Sequence, residues 1–134
     1  MFEAGGRAYV YMIYGFYFCL NVVTEAEGYP AAVLIRAVEP LAHAATMRKL
    51  RKNPRFDHNI ASGPGKLCIA MAIDKKLNGE DLTGNRLWIE DWNLAVARIE
   101  RTARIGVDYA GEYRDKPYRF YVHGNPHVSR VKLS

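Results

Sequence analysis

Apolar and aromatic residues open the chain in two short runs separated by a tyrosine-glycine pair. Residues 7–13 (RAYVYMI) and 16–24 (FYFCLNVVT) are rich in aromatic and β-branched types and read as strands. Tyr14-Gly15 between them leaves room only for a tight turn, so an antiparallel hairpin is predicted. Residues 25–30 read as a loop, and AAVLIRAV (31–38) as a buried strand carrying one charge. Glu39-Pro40 opens a predicted helix in which Leu41, Ala44, Ala45 and Met47 form an apolar stripe, and Pro54 ends it. After the loop 54–64, Ser62 is placed to cap a helix over GKLCIAMAI, with Leu67, Ala70 and Met71 at helical spacing. RLWIEDW (86–92) reads as a strand, 94–104 as strand or helix, 105–117 as a loop, and YRFYVHG (118–124) as the last strand. The pattern predicts one α+β domain over residues 1–134: a mostly antiparallel curved sheet, a protruding hairpin and flanking helices.

Composition sharpens this only in places. Apolar residues make up 49% of the 134 positions, enough for a real core, yet no run approaches the ~20 apolar residues of a membrane span. The first ten residues, MFEAGGRAYV, lack the charged, apolar and cleavage regions of a signal peptide. Cys19 and Cys68 lie alone in apolar runs, which excludes a zinc knuckle by spacing and argues against a disulfide framework. A reduced intracellular protein is expected, in the cytoplasm or nucleoid of a prokaryote or the nucleus of a eukaryote. The net charge of +5 is concentrated: Arg36, Arg48, Lys49, Arg51, Lys52 and Arg55 stand against one acid, Glu39, between positions 36 and 55. Such a patch suits a polyanion, and it suits equally well the solvated face of an amphipathic helix.

Four features carry candidate chemistry. Strand alternation puts Tyr9, Tyr11 and Ile13 on one side of the hairpin, a short aromatic wall that could also be ordinary core. Tyr14, at the turn, should point outward, and an exposed flat ring suits insertion into a base stack or stacking on an unpaired base. Asn21 and Arg36 are polar residues inside apolar strands; Arg36 should face a carboxylate, a phosphate or a site, and Asn21 a site or the backbone. SGPGKL (62–67) offers backbone N–H groups and Lys66 at a helix start, which phosphates favour but ordinary caps share.

The blocks GRAYVYMIYGFYFCLNVV, AAVLIRAVEP, SGPGKLC and PYRFYVHGNPHVS, in this order from about Gly5 to Ser129, resemble the alkyladenine (3-methyladenine) DNA glycosylase family. The resemblance implies a role for each matching position. Tyr14 would be the intercalating wedge, with Phe16 and Tyr17 against the minor groove. Tyr11, beside Tyr9, would stack on a flipped base; Asn21 would reject guanine by opposing its 2-amino group; Ile105 and Gly106 would line the pocket. Arg36 would position the catalytic water and acid. Ser62 and Lys66 would contact phosphates, alongside the patch of Arg48, Lys49, Arg51 and Lys52. No metal and no other cofactor is implied. The expected partner is double-stranded DNA carrying damaged purines, with no membrane, and a monomer is expected.

The resemblance also implies a catalytic glutamate in an E-T-E-A-Y-like motif ahead of the hairpin, and no such motif occurs in the 134 residues. An N-terminally incomplete chain is therefore expected, with no base excision of its own. TEAE (24–27) copies the letters of that motif but follows Asn21, and Glu3 lacks the motif around it. Two other readings stay open: an inert DNA-binding remnant of the same fold, and a single-strand or RNA stacking module.

Overall fold

The computed structural model describes residues 4–28, 30–96, 98–105 and 108–128, apart from the side chain of Asp108. The hairpin forms as the sequence predicts, with β1 (Ala8–Ile13) antiparallel to β2 (Tyr17–Val23) and Ile13 opposite Tyr17. Its turn is one residue wider than the two predicted. The Phe16 N–H donates to the Ile13 carbonyl at 3.2 Å, and Tyr14 and Gly15 both take left-handed backbones, φ 53° and 76°. Glycine tolerates that region freely, whereas a bulky residue such as tyrosine rarely enters it.

β3 (Ala32–Leu34) adds to the free edge of β2, giving the order β1-β2-β3. It is much shorter than the predicted 31–38. The ladder ends after the Ile35 N–H meets the Leu20 carbonyl, and the chain then crosses to Ala61, which accepts from the Val38 N–H. The first helix, α1 (Ala44–Leu50), starts later than Pro40 because His43 at φ 59° interrupts the chain. It stops where Lys52 and Asn53 both turn left-handed, just before Pro54. In α2 (Pro64–Ala70) the proline takes the first helical position and Gly63, not Ser62, stands at the cap with no side-chain bond. The predicted Ser62 cap is thus corrected: Ser62 is buried one step too early to reach the first turn.

The core lies between the hairpin and α2. Ala8, Val10 and Leu20 pack with Leu67, Cys68, Ala70 and Ile73, closed by Ile60, Ala61 and Leu82. Met71, read as part of the helical stripe, is exposed, and Cys68 takes its place. Burial pushes the Cys68 thiol from its ordinary 9.0 up to about 11, so it stays protonated and apolar at neutral pH.

The C-terminal part forms a separate two-stranded antiparallel sheet, β4 (Ile99–Thr102) with β5 (Arg119–Val122). The strand read over 86–92 does not exist. Asp91 accepts from the Asn93 N–H in an Asx turn and Asn93 sits at φ 54°, which breaks the extended run, while the Ile89 N–H to Leu82 carbonyl bond ties the segment down. Among the described residues no helix is long and apolar enough to cross a membrane. The α+β class holds, with every strand pair among the described residues antiparallel.

Candidate nucleic-acid interface

Register decides which side chains meet. Tyr9 lies opposite Asn21, Tyr11 opposite Cys19, and Asn21 opposite Leu34, so these residues share one face of the sheet. The Tyr9 and Tyr11 rings form the expected wall, 5.3 Å between centroids and tilted by 37°. Asn21 is only 7% exposed, and its Nδ2 donates to the Tyr9 carbonyl at 3.3 Å. Its amide also bonds the Tyr11 hydroxyl, so one side chain braces the wall at two points. Arg36, two residues beyond Leu34, is half-buried, and its charge reaches Cys19 on the same face.

The electrostatics of this face favour neutral groups. Burial raises the Tyr11 hydroxyl above its ordinary value, and Cys19, Tyr109 and Tyr9 push the same way, while the Asn21 bond opposes them. Burial likewise raises Cys19, with Arg36 pulling it back. At neutral pH the wall therefore presents uncharged rings, one amide and one guanidinium. That arrangement can stack on a planar base and test its edge by hydrogen bonding. It has no group that could accept a proton from water at that pH.

Tyr14 stands at the hairpin tip, 83% exposed. The next two rings, Phe16 and Tyr17, lie 4.3 Å apart at 52°. Tyr17 in turn rests on α2. A Cβ built on Gly65 would fall 2.9 Å from Tyr17 Cδ1 and 3.1 Å from Cγ. Those atoms are the root of the ring and cannot swing clear, so Gly65 is the seat of the hairpin on the helix. Gly65→Ala gains at most about 1 kcal/mol of helix propensity against an overpacking cost of roughly 1–3 kcal/mol. The expected result is a lower urea midpoint; an unchanged or higher midpoint would show that the tip does not rest on this contact.

The basic patch divides into two kinds of residue. Arg48 donates to the Pro54 carbonyl and to Asp57, and Arg51 to the Ile60 and Asn59 carbonyls at 2.9 and 3.1 Å. Both pin the 54–60 loop under α1. Lys49 and Lys52 are exposed, as is Lys66 in the first turn of α2. Ser62 is buried at the entry to that helix. Ile105 is half-buried just past β4, and Gly106 lies outside the described residues.

Sequence reasoning missed Cys19 as a member of the site face, although strand alternation from Asn21 would have placed it there. It also missed Tyr109, 87% exposed and within electrostatic reach of Tyr11, in a kinked 3-10 segment (Asp108–Tyr113) where the sequence predicts a loop. His127 was unassigned too: its Nε2 lies 3.4 Å from a Glu39 oxygen, which Asn125 Nδ2 also approaches at 3.4 Å. Those contacts hold the C-terminal block against the exit of β3. Among the described residues no cluster of His, Cys, Asp or Glu could hold a metal ion.

The profile of the methylpurine-DNA glycosylase family matches residues 1–126. A provisionally named 3-methyladenine DNA glycosylase of Methanocella arvoryzae is 55% identical over 131 residues, covering 97% of this chain and 65% of that protein. The DNA-3-methyladenine glycosylases of Mus musculus and Homo sapiens are 46% and 44% identical over 98% of this chain, and over 42% and 47% of their own lengths. The chain thus spans just under two thirds of the first relative and less than half of the two mammalian proteins.

Proposed function

The chain belongs to the methylpurine-DNA glycosylase family, and on that premise we propose that it carries the base-holding and DNA-gripping surfaces of a base-excision repair enzyme. The complete enzyme would rotate a damaged purine, such as 3-methyladenine, 7-methylguanine or hypoxanthine, out of duplex DNA and hydrolyse its N-glycosidic bond. Flipping costs a few kcal/mol, least for a damaged base, so selection begins before chemistry. An alkylated, cationic purine leaves readily. The remaining demand is a general base for water, which the family resemblance assigns to a glutamate motif not found in these residues.

One observation supports the reading above the others: a braced aromatic wall with an amide and a guanidinium on one sheet face, joined through β1 to an exposed tyrosine wedge. In the proposed roles Tyr14 fills the gap left by the flipped nucleotide, with Phe16 and Tyr17 in the minor groove. Tyr9 and Tyr11 stack on the base, and Ile105 and Gly106 line its pocket. Asn21 opposes the 2-amino group of guanine. Arg36 positions the water and the acid, while Ser62 and Lys66 with the α1 lysines meet phosphates. The protein acts as a monomer.

Salt dependence tests the grip on DNA. Each neutralised phosphate contributes ~0.9 to the slope of log affinity against log salt. Lys49 and Lys52 are the exposed cations of α1 and its exit, so replacing both by Ala should flatten the slope by up to about 1.8. Arg51→Ala should instead weaken the fold through the carbonyls it leaves. Duplex binding indifferent to salt would remove the patch from the interface.

A further inference from the structure

Segment 83–96 forms neither helix nor strand, yet it holds both tryptophans of the chain. They are 50% and 64% exposed at Trp88 and Trp92, an unusual position for the largest apolar side chain. Both indole N–H groups donate to one carboxylate: Trp88 Nε1 to Glu90 Oε1 at 2.5 Å, and Trp92 Nε1 to Glu90 Oε2. Trp88, Glu90, Asp91, Trp92 and Leu94 line an open cleft of about 450 Å3. A second hollow of about 360 Å3 shares Trp88 and Glu90 with it.

The charge of this cleft runs against that of the protein. No basic residue occurs from Leu87 to Val96, while Glu90 and Asp91 place two negative charges there in a chain of net +5. Arg86, just before it, turns to Glu80 at 3.3 Å. A phosphate backbone would be repelled. A cation is favoured twice, by the carboxylates and by the exposed indole faces, since tryptophan offers the strongest ring for cation–π contact.

We propose that the Trp88–Glu90–Trp92 cleft binds an arginine or lysine side chain presented by a basic segment of a partner protein. The two indole bonds hold the rings about the carboxylate before any ligand arrives, so little side-chain ordering remains to be done on binding. The Ile89 N–H bonds the Leu82 carbonyl and the Leu82 N–H bonds the Gly6 carbonyl, which fixes the cleft near the start of β1. Tyr14 lies at the other end of that strand, ~20 Å away for six residues. A partner can therefore occupy the cleft while the hairpin tip engages DNA.

Because Trp88 and Trp92 are the chain's two tryptophans, intrinsic tryptophan emission reads this cleft alone. Titrating the protein with tetra-arginine peptide should change that emission saturably, whereas tetra-citrulline, its neutral isostere, should not. Glu90→Gln keeps an acceptor for one indole, and Asp91→Asn leaves both indole bonds in place. Each should weaken tetra-arginine binding by about five-fold, the size of one lost surface ion pair. Equal responses to the two peptides would mean the cleft takes any apolar chain, and no response to either would mean it is not a site; both results overturn the proposal. So would binding unaffected in both variants, with circular dichroism showing them folded.

Discussion

Incubated with alkylated duplex DNA, the 134-residue chain will release 7-methylguanine no faster than buffer does. The residues on the proposed pocket face are Tyr9, Tyr11, Cys19, Asn21 and Arg36, and none offers a general base for water near pH 7. The Tyr11 hydroxyl and the Cys19 thiol are both raised by burial and stay protonated, the guanidinium stays charged, and an amide does not titrate. Glu25 and Glu27 are exposed on the loop after β2, beyond the far end of that strand from the tip. A positioned general base typically contributes 10²–10⁴-fold, and its absence from the pocket removes at least that factor. Joining the chain to the upstream segment of a longer relative that carries the E-T-E-A-Y-like motif should bring excision back. Changing that glutamate to Gln should abolish it again. Excision well above background by the 134-residue chain would contradict the assignment and turn attention to Glu3, Glu25 and Glu27.

Tyr14→Ala should separate binding from folding more cleanly than any other substitution. The ring is almost wholly exposed, so its removal takes no core contact with it, and such surface changes stay within about 0.5 kcal/mol of stability. Alanine at the same left-handed φ carries a comparable backbone cost, so that contribution nearly cancels. Stacking on a base is worth roughly 1–3 kcal/mol, which corresponds to about 5- to 150-fold in affinity at 1.4 kcal/mol per tenfold. Affinity for a duplex with an abasic or hypoxanthine position should fall by that factor while the thermal midpoint holds. A variant that unfolds would place Tyr14 in the core; one that binds as tightly as the parent would remove it from the interface.

Legibility followed locality. The hairpin and its outward tyrosine could be read because strand composition and the Tyr-Gly turn are local signals. Asn21 and Arg36 stood out because each interrupts an apolar run; the register puts Asn21 on the face of Tyr9, and Arg36, beyond the end of β3, brings its charge to Cys19 there. The errors arose where a distant partner decides. RLWIEDW has strand composition, but no neighbouring strand among the described residues completes a ladder, and Glu90 instead captures both indoles. The basic residues of α1 and its exit look alike in sequence; only the fold of the 54–60 loop shows Arg48 and Arg51 bonded inward while Lys49 and Lys52 face solvent. Ser62 fits a capping pattern, yet Pro64 sets the helix start one residue later than a serine cap requires.

Hypoxanthine is guanine without the 2-amino group, so the pair isolates what Asn21 is proposed to sense. The decisive measurement is the ratio of dissociation constants for two duplexes that differ only in carrying guanine or hypoxanthine opposite cytosine. It should be made for the wild-type chain and for Asn21→Ala. Some preference for hypoxanthine will come from its weaker pairing and will remain in both proteins. The wild type should show an additional preference of about tenfold, the size of one opposed donor at roughly 1–3 kcal/mol, and Asn21→Ala should lose it by gaining affinity for guanine. Identical ratios in the two proteins would contradict a purine pocket on this face.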